Sequence, residues 1–155
     1  MMFYTHLLFS LLIGQLSSHY LGVQHQIVFI AVVCLFGILP DIDSHNSKVG
    51  KKIPLLSFML NVFVGHRGVF HSLFIPIILY LIILFLDYPS IALALFIGYT
   101  SHLALDACTD SGVQLFWPFK YKIKGFIKTD SIREKILFLV LLTLNVYVFL
   151  HIITQ

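Results

Sequence analysis

The sequence has few charged residues. Only 11% of its 155 residues are charged and 59% are hydrophobic, whereas roughly 25% of an average soluble domain is charged. A single soluble core could not bury so much apolar surface. The composition therefore excludes an ordinary soluble domain and predicts an integral membrane protein.

Cysteine is scarce as well, and the basic residues lack a nucleic-acid-binding pattern. The two cysteines, Cys34 and Cys108, have no zinc-site spacing and give little reason to expect a disulfide. The net charge is +3, and the basic residues are neither interleaved with stacking aromatic side chains nor gathered into a reading motif. Nucleic acid is therefore not an expected partner.

What the sequence does have is long apolar runs. Five of them come close to the roughly 20 residues that a helix needs to cross about 30 Å of hydrocarbon. They cover residues 3–19, 20–39, 71–86, 89–107 and 136–153. We therefore predict an all-α helical bundle, a single membrane domain over residues 1–155 with about five transmembrane helices. A sixth run, residues 53–65, would reach only about 20 Å as a helix and is predicted to be interfacial or re-entrant.

The positions of the basic residues predict the orientation of these helices. All lysines and arginines fall in the two predicted loops, 40–70 and 108–135, which this arrangement places on the same side of the membrane. The positive-inside rule assigns that side to the cytoplasm. The N-terminus is then expected inside the cell and the C-terminus outside.

Seven histidines and aspartates lie near the cytoplasmic ends of the predicted spans. If one of these spans had the opposite orientation, its polar residues would lie about 30 Å from the others, on the opposite membrane face. The predicted topology alone therefore brings the seven residues to the cytoplasmic face, without any motif match. Imidazole and carboxylate groups are common ligands of transition metals. The candidate metal ligands are His6, Asp41, Asp43, His66, His71, His102 and Asp106.

Local spacing supports two parts of this set, and each part has an alternative interpretation. His102 and Asp106 are four residues apart, so on a helix they share a face and could bind one ion. The alternative is a membrane-buried hydrogen-bonded pair. Asp41 and Asp43 alternate after a helix-ending proline and could act as a pair of hard ligands. A solvated acidic loop is the alternative for them.

The segment GHRGVFHS adds His66, Arg67 and His71 just before the third span. Gly65 and Gly68 allow tight turns there, so a loop leading into a helix could bring both histidines inward. Arg67 could carry a positive charge into the site or serve only as a positive-inside anchor.

These residues also carry a family resemblance. The segments LPDID, GHRGVFHS and GYTSHLALDACTDSGVQLFWPF make the chain resemble the YdjM family of bacterial and archaeal inner-membrane proteins, described as membrane-bound metal-dependent hydrolases. The helical H-x-x-x-D element is also similar, more remotely, to that of the zinc-dependent phospholipase C and P1 nuclease group, which hints at phosphoester chemistry. His45 is displaced by one residue from a family histidine and is left out of the ligand set. The family's motif positions correspond to His6, Asp41, Asp43, His66, Arg67, His71, His102 and Asp106.

Mixed nitrogen and oxygen ligands suit Zn, Mn or Fe better than Ca or Mg. Zn is the expected ion, with one or two bound. Such an ion lowers the pKa of bound water toward neutrality, so the expected function is hydrolysis of a phosphoester or lipid-type ester at the cytoplasmic face. Arg67 is expected to stabilise the developing anion, and Asp41 or Asp43 to accept the proton. Membrane lipids are expected partners, with a lipid or phosphorylated molecule as substrate.

Three assignments have alternatives. The cluster also fits a non-enzymatic membrane protein with a structural or sensory metal site, because ligands can close a site without leaving a position for water. Glu134, the only glutamate, stands beside Arg133 and Lys135 and is expected to form a surface ion pair. The alternative is that Glu134 belongs to the metal site. The basic loop 120–135 is expected to hold anionic lipid headgroups, the alternative being to guide an anionic substrate.

Overall fold

The computed structural model describes residues 3–43, 69–119 and 121–154, with the backbone alone at 42 and 43. In this part of the chain the α-helices are joined by turns, by two short 3-10 segments, Leu39–Asp43 and Val69–His71, and by one long loop. The prediction of an all-helical fold is confirmed for these residues. The helices are α1 (Phe3–Tyr20), α2 (Gln26–Ile38), α3 (Phe74–Phe85), α4 (Pro89–Ala107) and α5 (Ile132–Ile153).

Helix α4 is the centre of the bundle. It packs against α1, α2 and α3, while α5 packs on α1 at the periphery. Pro89 begins α4, a position where the missing N–H is not needed. Tyr99 and Leu103 of α4 are buried together with Val113 of the following loop. Because α4 is enclosed by its neighbours, it carries polar residues of its last turns into the interior.

Three helices begin at positions that differ from the predicted spans, and α3 begins at Phe74 rather than at residue 71. The second span was predicted from residue 20, but α1 continues through Tyr20 and a turn follows at Gly22, whose φ is +58°. Helix α2 therefore begins at Gln26 and has 13 residues. Helix α5 begins at Ile132 rather than at residue 136, because Ser131 caps a polar first turn that a hydropathy pattern does not reveal.

Helix length and hydropathy support two of the five predicted spans. Among the described residues, α4 and α5 are long and apolar enough to cross a membrane, and α2 and α3 are apolar but shorter. Helix α1 has 18 residues but carries a row of buried polar side chains. The predicted short helix at residues 53–65 lies outside the described residues.

Many polar side chains lie inside the bundle and many large apolar ones are exposed, whereas soluble proteins bury most of their large apolar side chains. Many leucine, isoleucine, valine and phenylalanine side chains of α3 and α5 are exposed. This distribution is what a helical bundle surrounded by hydrocarbon requires, because lipid solvates apolar side chains and polar ones need partners inside. The buried polar residues include His6, Ser10, Gln15, Ser18, Ser101, His102, Asp106 and Asn145.

Glu134 caps α5 and is buried rather than exposed at the surface. Its side chain is buried, and Oε2 accepts a hydrogen bond of 2.7 Å from the Asp130 N–H. In return, the Ser131 hydroxyl accepts from the Glu134 N–H at 3.4 Å. The predicted surface position beside Arg133 and Lys135 is wrong, because adjacent residues of a helix point in different directions and the carboxylate turns back toward the helix start.

Glu134→Ala is expected to lower the free energy of unfolding by about 1 kcal/mol, the usual contribution of a helix cap. The substitution removes the acceptor of the Asp130 N–H, and thermal unfolding of the detergent-solubilised protein would report the change. Lys135→Ala is the matched control, because Lys135 is exposed on the same turn. Equal stability of the two variants would contradict the capping role.

Candidate metal centre

Five polar side chains from four segments meet at one end of the bundle. They are contributed by the first turn of α1, by the two 3-10 segments and by the last turns of α4. Four of them are almost inaccessible, with 0% to 2% relative exposure, while the Asp41 side chain is 21% exposed. The five residues are His6, Asp41, His71, His102 and Asp106.

These five are among the seven ligands predicted from sequence. The structure places all five within one cluster, at the ends of elements that are far apart in the chain. The side chain of Asp43, and the whole of His66 and Arg67, lie outside the described residues. Their roles therefore stay predictions.

Asp106 is the centre of the cluster. Its Oδ1 lies 3.5 Å from His6 Nε2, and its Oδ2 lies 3.5 Å from His71 Nε2 and 3.7 Å from His102 Nε2. These separations exceed the 2.7–3.2 Å typical of an N–H···O hydrogen bond. Two ligands of one tetrahedral zinc ion, each about 2.0–2.2 Å from the metal, lie about 3.4 Å apart. The spacing resembles that of ligands around an ion more than that of directly bonded partners.

The tautomer of His102 is set by the backbone. Its Nδ1 lies 2.8 Å from the Gly37 carbonyl oxygen, which can only accept, so Nδ1 carries the proton. In the neutral ring Nε2 then has a lone pair. This nitrogen is buried and has no hydrogen bond to any described residue, a costly state for a polar atom. A histidine whose second N–H is fixed by a carbonyl is the usual arrangement of a metal ligand.

Asp41 closes the exposed side of the cluster. Its Oδ1 lies 3.9 Å from His102 Nε2. Burial raises the pKa of the Asp41 carboxyl above its usual value, and the nearby Asp106 acts in the same direction, whereas His6 and His71 act to lower it. A raised pKa suits the predicted role of Asp41 in accepting a proton.

The donor atoms form two overlapping groups that could each hold a metal ion. One group is His6, Asp41 and His102, the other is His71, His102 and Asp106, and the ligand atoms within each lie within 4.8 Å of one another. His102 Nε2 belongs to both groups but has only one lone pair, so it can serve one ion. The described donors therefore fit one ion, and a second would need further ligands.

Several contacts that hold the cluster in place were not predicted. The Tyr99 hydroxyl donates to the Phe70 carbonyl at 2.6 Å and so fixes the segment before His71. The hydroxyls of Ser10 and Ser101 lie 2.9 Å apart and join α1 to α4 beside the ligands. The Gly37 and Phe70 acceptors are backbone carbonyls, which leave no signal in a sequence.

Comparison with known proteins places the chain among inner membrane proteins. A family model described as "YdjM inner membrane protein" matches residues 1–155. The chain is 30% identical over 148 residues to a protein of Bacillus subtilis (strain 168) named "Uncharacterized protein YvsG", with 94% of this chain and 92% of that protein covered. No solved structure matches the chain.

The "Inner membrane protein YdjM" of Escherichia coli (strain K12) and that of Shigella flexneri are each 31% identical over 94 residues. The match covers 56% of this chain and 47% of each of these relatives, so it spans about half of their length. Their names support a location in the bacterial inner membrane.

Proposed function

The chain belongs to the YdjM family of inner membrane proteins, and from this premise we propose that it is a membrane-bound metal-dependent hydrolase acting at the cytoplasmic face. The observation that carries the proposal is the buried lone pair of His102 Nε2, held toward Asp41 and Asp106 by the bond from Nδ1 to Gly37. The described donors, three imidazoles and two carboxylates, suit Zn, with Mn or Fe as alternatives.

The proposed membrane arrangement has five spans, with the N-terminus and the cluster on the cytoplasmic side. It is supported by the meeting of the five donors at one end of the bundle and by the apolar outer faces of α3 and α5. The concentration of lysine and arginine in loops 40–70 and 108–135 favours the cytoplasm for this end. Helix α2 continues into Leu39–Asp43, which lengthens that segment toward the same end.

The chemistry proposed for the site follows from the cluster's geometry. When bound, a transition-metal ion would supply water of lowered pKa and would polarise an ester or phosphoryl oxygen. His102 and Asp106 would hold the ion, and Asp106 would orient His6 and His71 on either side of its carboxylate. Asp41 is the most exposed of the five, so substrate and water would approach from its side, and its carboxylate would accept the proton of the attacking water. Arg67 would stabilise the developing anion.

The substrate class proposed is a phosphoester or a lipid-type ester that reaches the inner leaflet. The support is the position of the cluster at the end of membrane helices and the presence of exposed lysines in the loop that follows α4. A second ion would use Asp43 and His66, the two predicted ligands outside the described part.

The test combines metal analysis with hydrolysis. We expect one or two equivalents of a transition metal in the detergent-purified protein, and hydrolysis of a chromogenic phosphodiester or a phospholipid that stops after chelation and returns with Zn. His102→Ala is expected to lower the rate by more than about 100-fold, since even outer-shell changes cost 10–100-fold. His25→Ala, exposed and outside the cluster, is the control and should retain activity.

Two results would contradict the proposed hydrolase function. Undiminished hydrolysis in folded His102→Ala protein would remove this cluster from the reaction. Stoichiometric metal without hydrolysis of any of these esters would favour the structural or sensory metal site, which is supported by the near-complete burial of four of the five donors.

A further inference from the structure

The loop between α4 and α5 contains an extended segment that is fixed to the end of α4. Alternate residues of the segment donate backbone hydrogen bonds to the chain that leaves α4, and this alternation is the pattern of a β-strand. Gly125 lies so close to that chain that a Cβ would be 2.2 Å from the Cys108 carbonyl oxygen. The bonds run from Ile123 N–H to Val113 O (3.0 Å), Gly125 N–H to Thr109 O (2.9 Å) and Ile127 N–H to Cys108 O (3.0 Å).

The residues between these bonds point away from the bundle. In an extended segment successive side chains lie on opposite faces, and Lys122, Lys124, Phe126 and Lys128 are all exposed. We name these four residues the basic strip. The sequence contains no acidic residue from 121 to 128, so the strip presents three positive charges on one face.

The acidic residues of the loop do not cancel this charge. Asp130 lies 4.0 Å from the ammonium group of Lys135, and Glu134 is buried in the cap of α5. Asp110 is the other exposed acid of the loop, which leaves an excess of positive charge beside the strip.

Exposed aromatic side chains precede the strip. Phe116, Trp117 and Phe119 lie in or next to a turn and Tyr121 follows it, and the four residues are 41% to 72% exposed. A group of exposed aromatic rings is unfavourable in water and marks an interaction surface. Aromatic side chains are stable at the membrane interface, where the ring and the polar edge each find a suitable environment. We name these four residues the aromatic turn.

The strip and the turn lie at the same end of the bundle as the metal centre. The loop begins directly after α4, two residues beyond Asp106. The Leu115 carbonyl accepts a hydrogen bond of 2.9 Å from the Leu73 N–H, two residues after His71. For a bundle in the inner membrane, this end lies at the level of the phospholipid headgroups.

We propose that the basic strip and the aromatic turn bind anionic phospholipids in the leaflet next to the metal centre. The aromatic rings insert at the interface, and Lys122, Lys124 and Lys128 contact the headgroup phosphates. Positive charge and aromatic exposure on one fixed segment match the two parts of that ligand, the anionic phosphate and the interfacial acyl region. The proposal requires the inner-membrane location but not hydrolysis, so it can fail or hold independently of the proposed function.

The single tryptophan of the chain, Trp117, provides the readout. The full-length protein is reconstituted into phosphatidylcholine vesicles that contain either brominated phosphatidylglycerol or brominated phosphatidylcholine, and quenching of Trp117 fluorescence is compared. We expect the anionic brominated lipid to quench at several-fold lower concentration, since each lysine near an anionic surface favours it by roughly fivefold. In the triple variant K122Q/K124Q/K128Q the two quenching curves should coincide.

Lys135→Gln is the matched control, because it removes an exposed positive charge outside the strip and should keep the preference for the anionic lipid. Equal quenching by both lipids in the wild type would overturn the binding of anionic headgroups. Absence of quenching by either lipid would show that the aromatic turn projects into water, and would overturn the whole proposal. The metal content of the triple variant should equal that of the wild type, which separates this test from the metal centre.

Discussion

Asp106→Asn is expected to abolish stoichiometric metal binding. The Asp106 carboxylate is the only group within 3.5–3.7 Å of all three imidazole Nε2 atoms in the described cluster. Asparagine has nearly the same volume, but it replaces one oxygen with an amide NH₂ group that has no lone pair for a metal. It also removes the negative charge that neutralises the ion. We expect the metal affinity to fall by more than about 100-fold, because changes to residues that only hold a ligand in place already cost 10–100-fold.

The measurement is metal content by elemental analysis after dialysis, followed by competition with a chromophoric chelator. Asp110→Asn is the matched control, because it makes the same chemical change four residues further along at an exposed position. Thermal unfolding would verify that the Asp106 variant is folded. Wild-type metal content in that variant would make the cluster a hydrogen-bonded network between helices, the interpretation that the sequence had left open for His102 and Asp106.

The meeting of the candidate ligands could be predicted from the sequence because it depends on coarse features. The ends of apolar runs and the side that carries the basic residues determine which polar groups share a membrane face. The spacing of His102 and Asp106 then places both on one face of α4. These arguments require helix ends to be correct only within a turn, so the late start of α2 at Gln26 did not displace Asp41 from the cluster.

Features that depend on exact helix ends or on backbone atoms could not be predicted. The capping role of Glu134 was missed because its sequence neighbours carry the opposite charge and suggested a surface pair. The Gly37 carbonyl that sets the His102 tautomer, and the Phe70 carbonyl that binds Tyr99, belong to residues whose side chains take no part. The sequence showed a basic loop, but only the backbone hydrogen bonds to the end of α4 place Lys122, Lys124 and Lys128 on one exposed face.

Gly98→Ala is expected to destabilise the helix bundle by forcing α2 and α4 apart. A Cβ at Gly98 would lie 2.3 Å from the Val33 carbonyl oxygen and 3.0 Å from the Val33 Cα. Because these are backbone atoms of α2, no rotamer change relieves the contact, and α2 and α4 must move apart. Overpacking of this kind usually costs 1–3 kcal/mol, and we expect a net loss of about 2 kcal/mol.

Gly14→Ala is the matched control for Gly98→Ala. A Cβ at Gly14 would lie 3.4 Å from the Val33 side chain, a distance that needs only a small adjustment. Alanine also favours helix by about 1 kcal/mol relative to glycine, so this variant should be as stable as the wild type or more stable. Thermal unfolding of both variants in detergent would measure the difference.

Gly98→Ala should also weaken metal binding, although Gly98 is not among the candidate ligands. His102 is one turn beyond Gly98 on α4, and Gly37, whose carbonyl accepts from His102 Nδ1, is one turn beyond Val33 on α2. A separation of the two helices at Gly98 therefore lengthens the bond that holds Nε2 toward Asp41 and Asp106. A variant that is destabilised but binds metal with wild-type affinity would show that the cluster is positioned by α1 and the segment around His71 rather than by the close contact of α2 and α4.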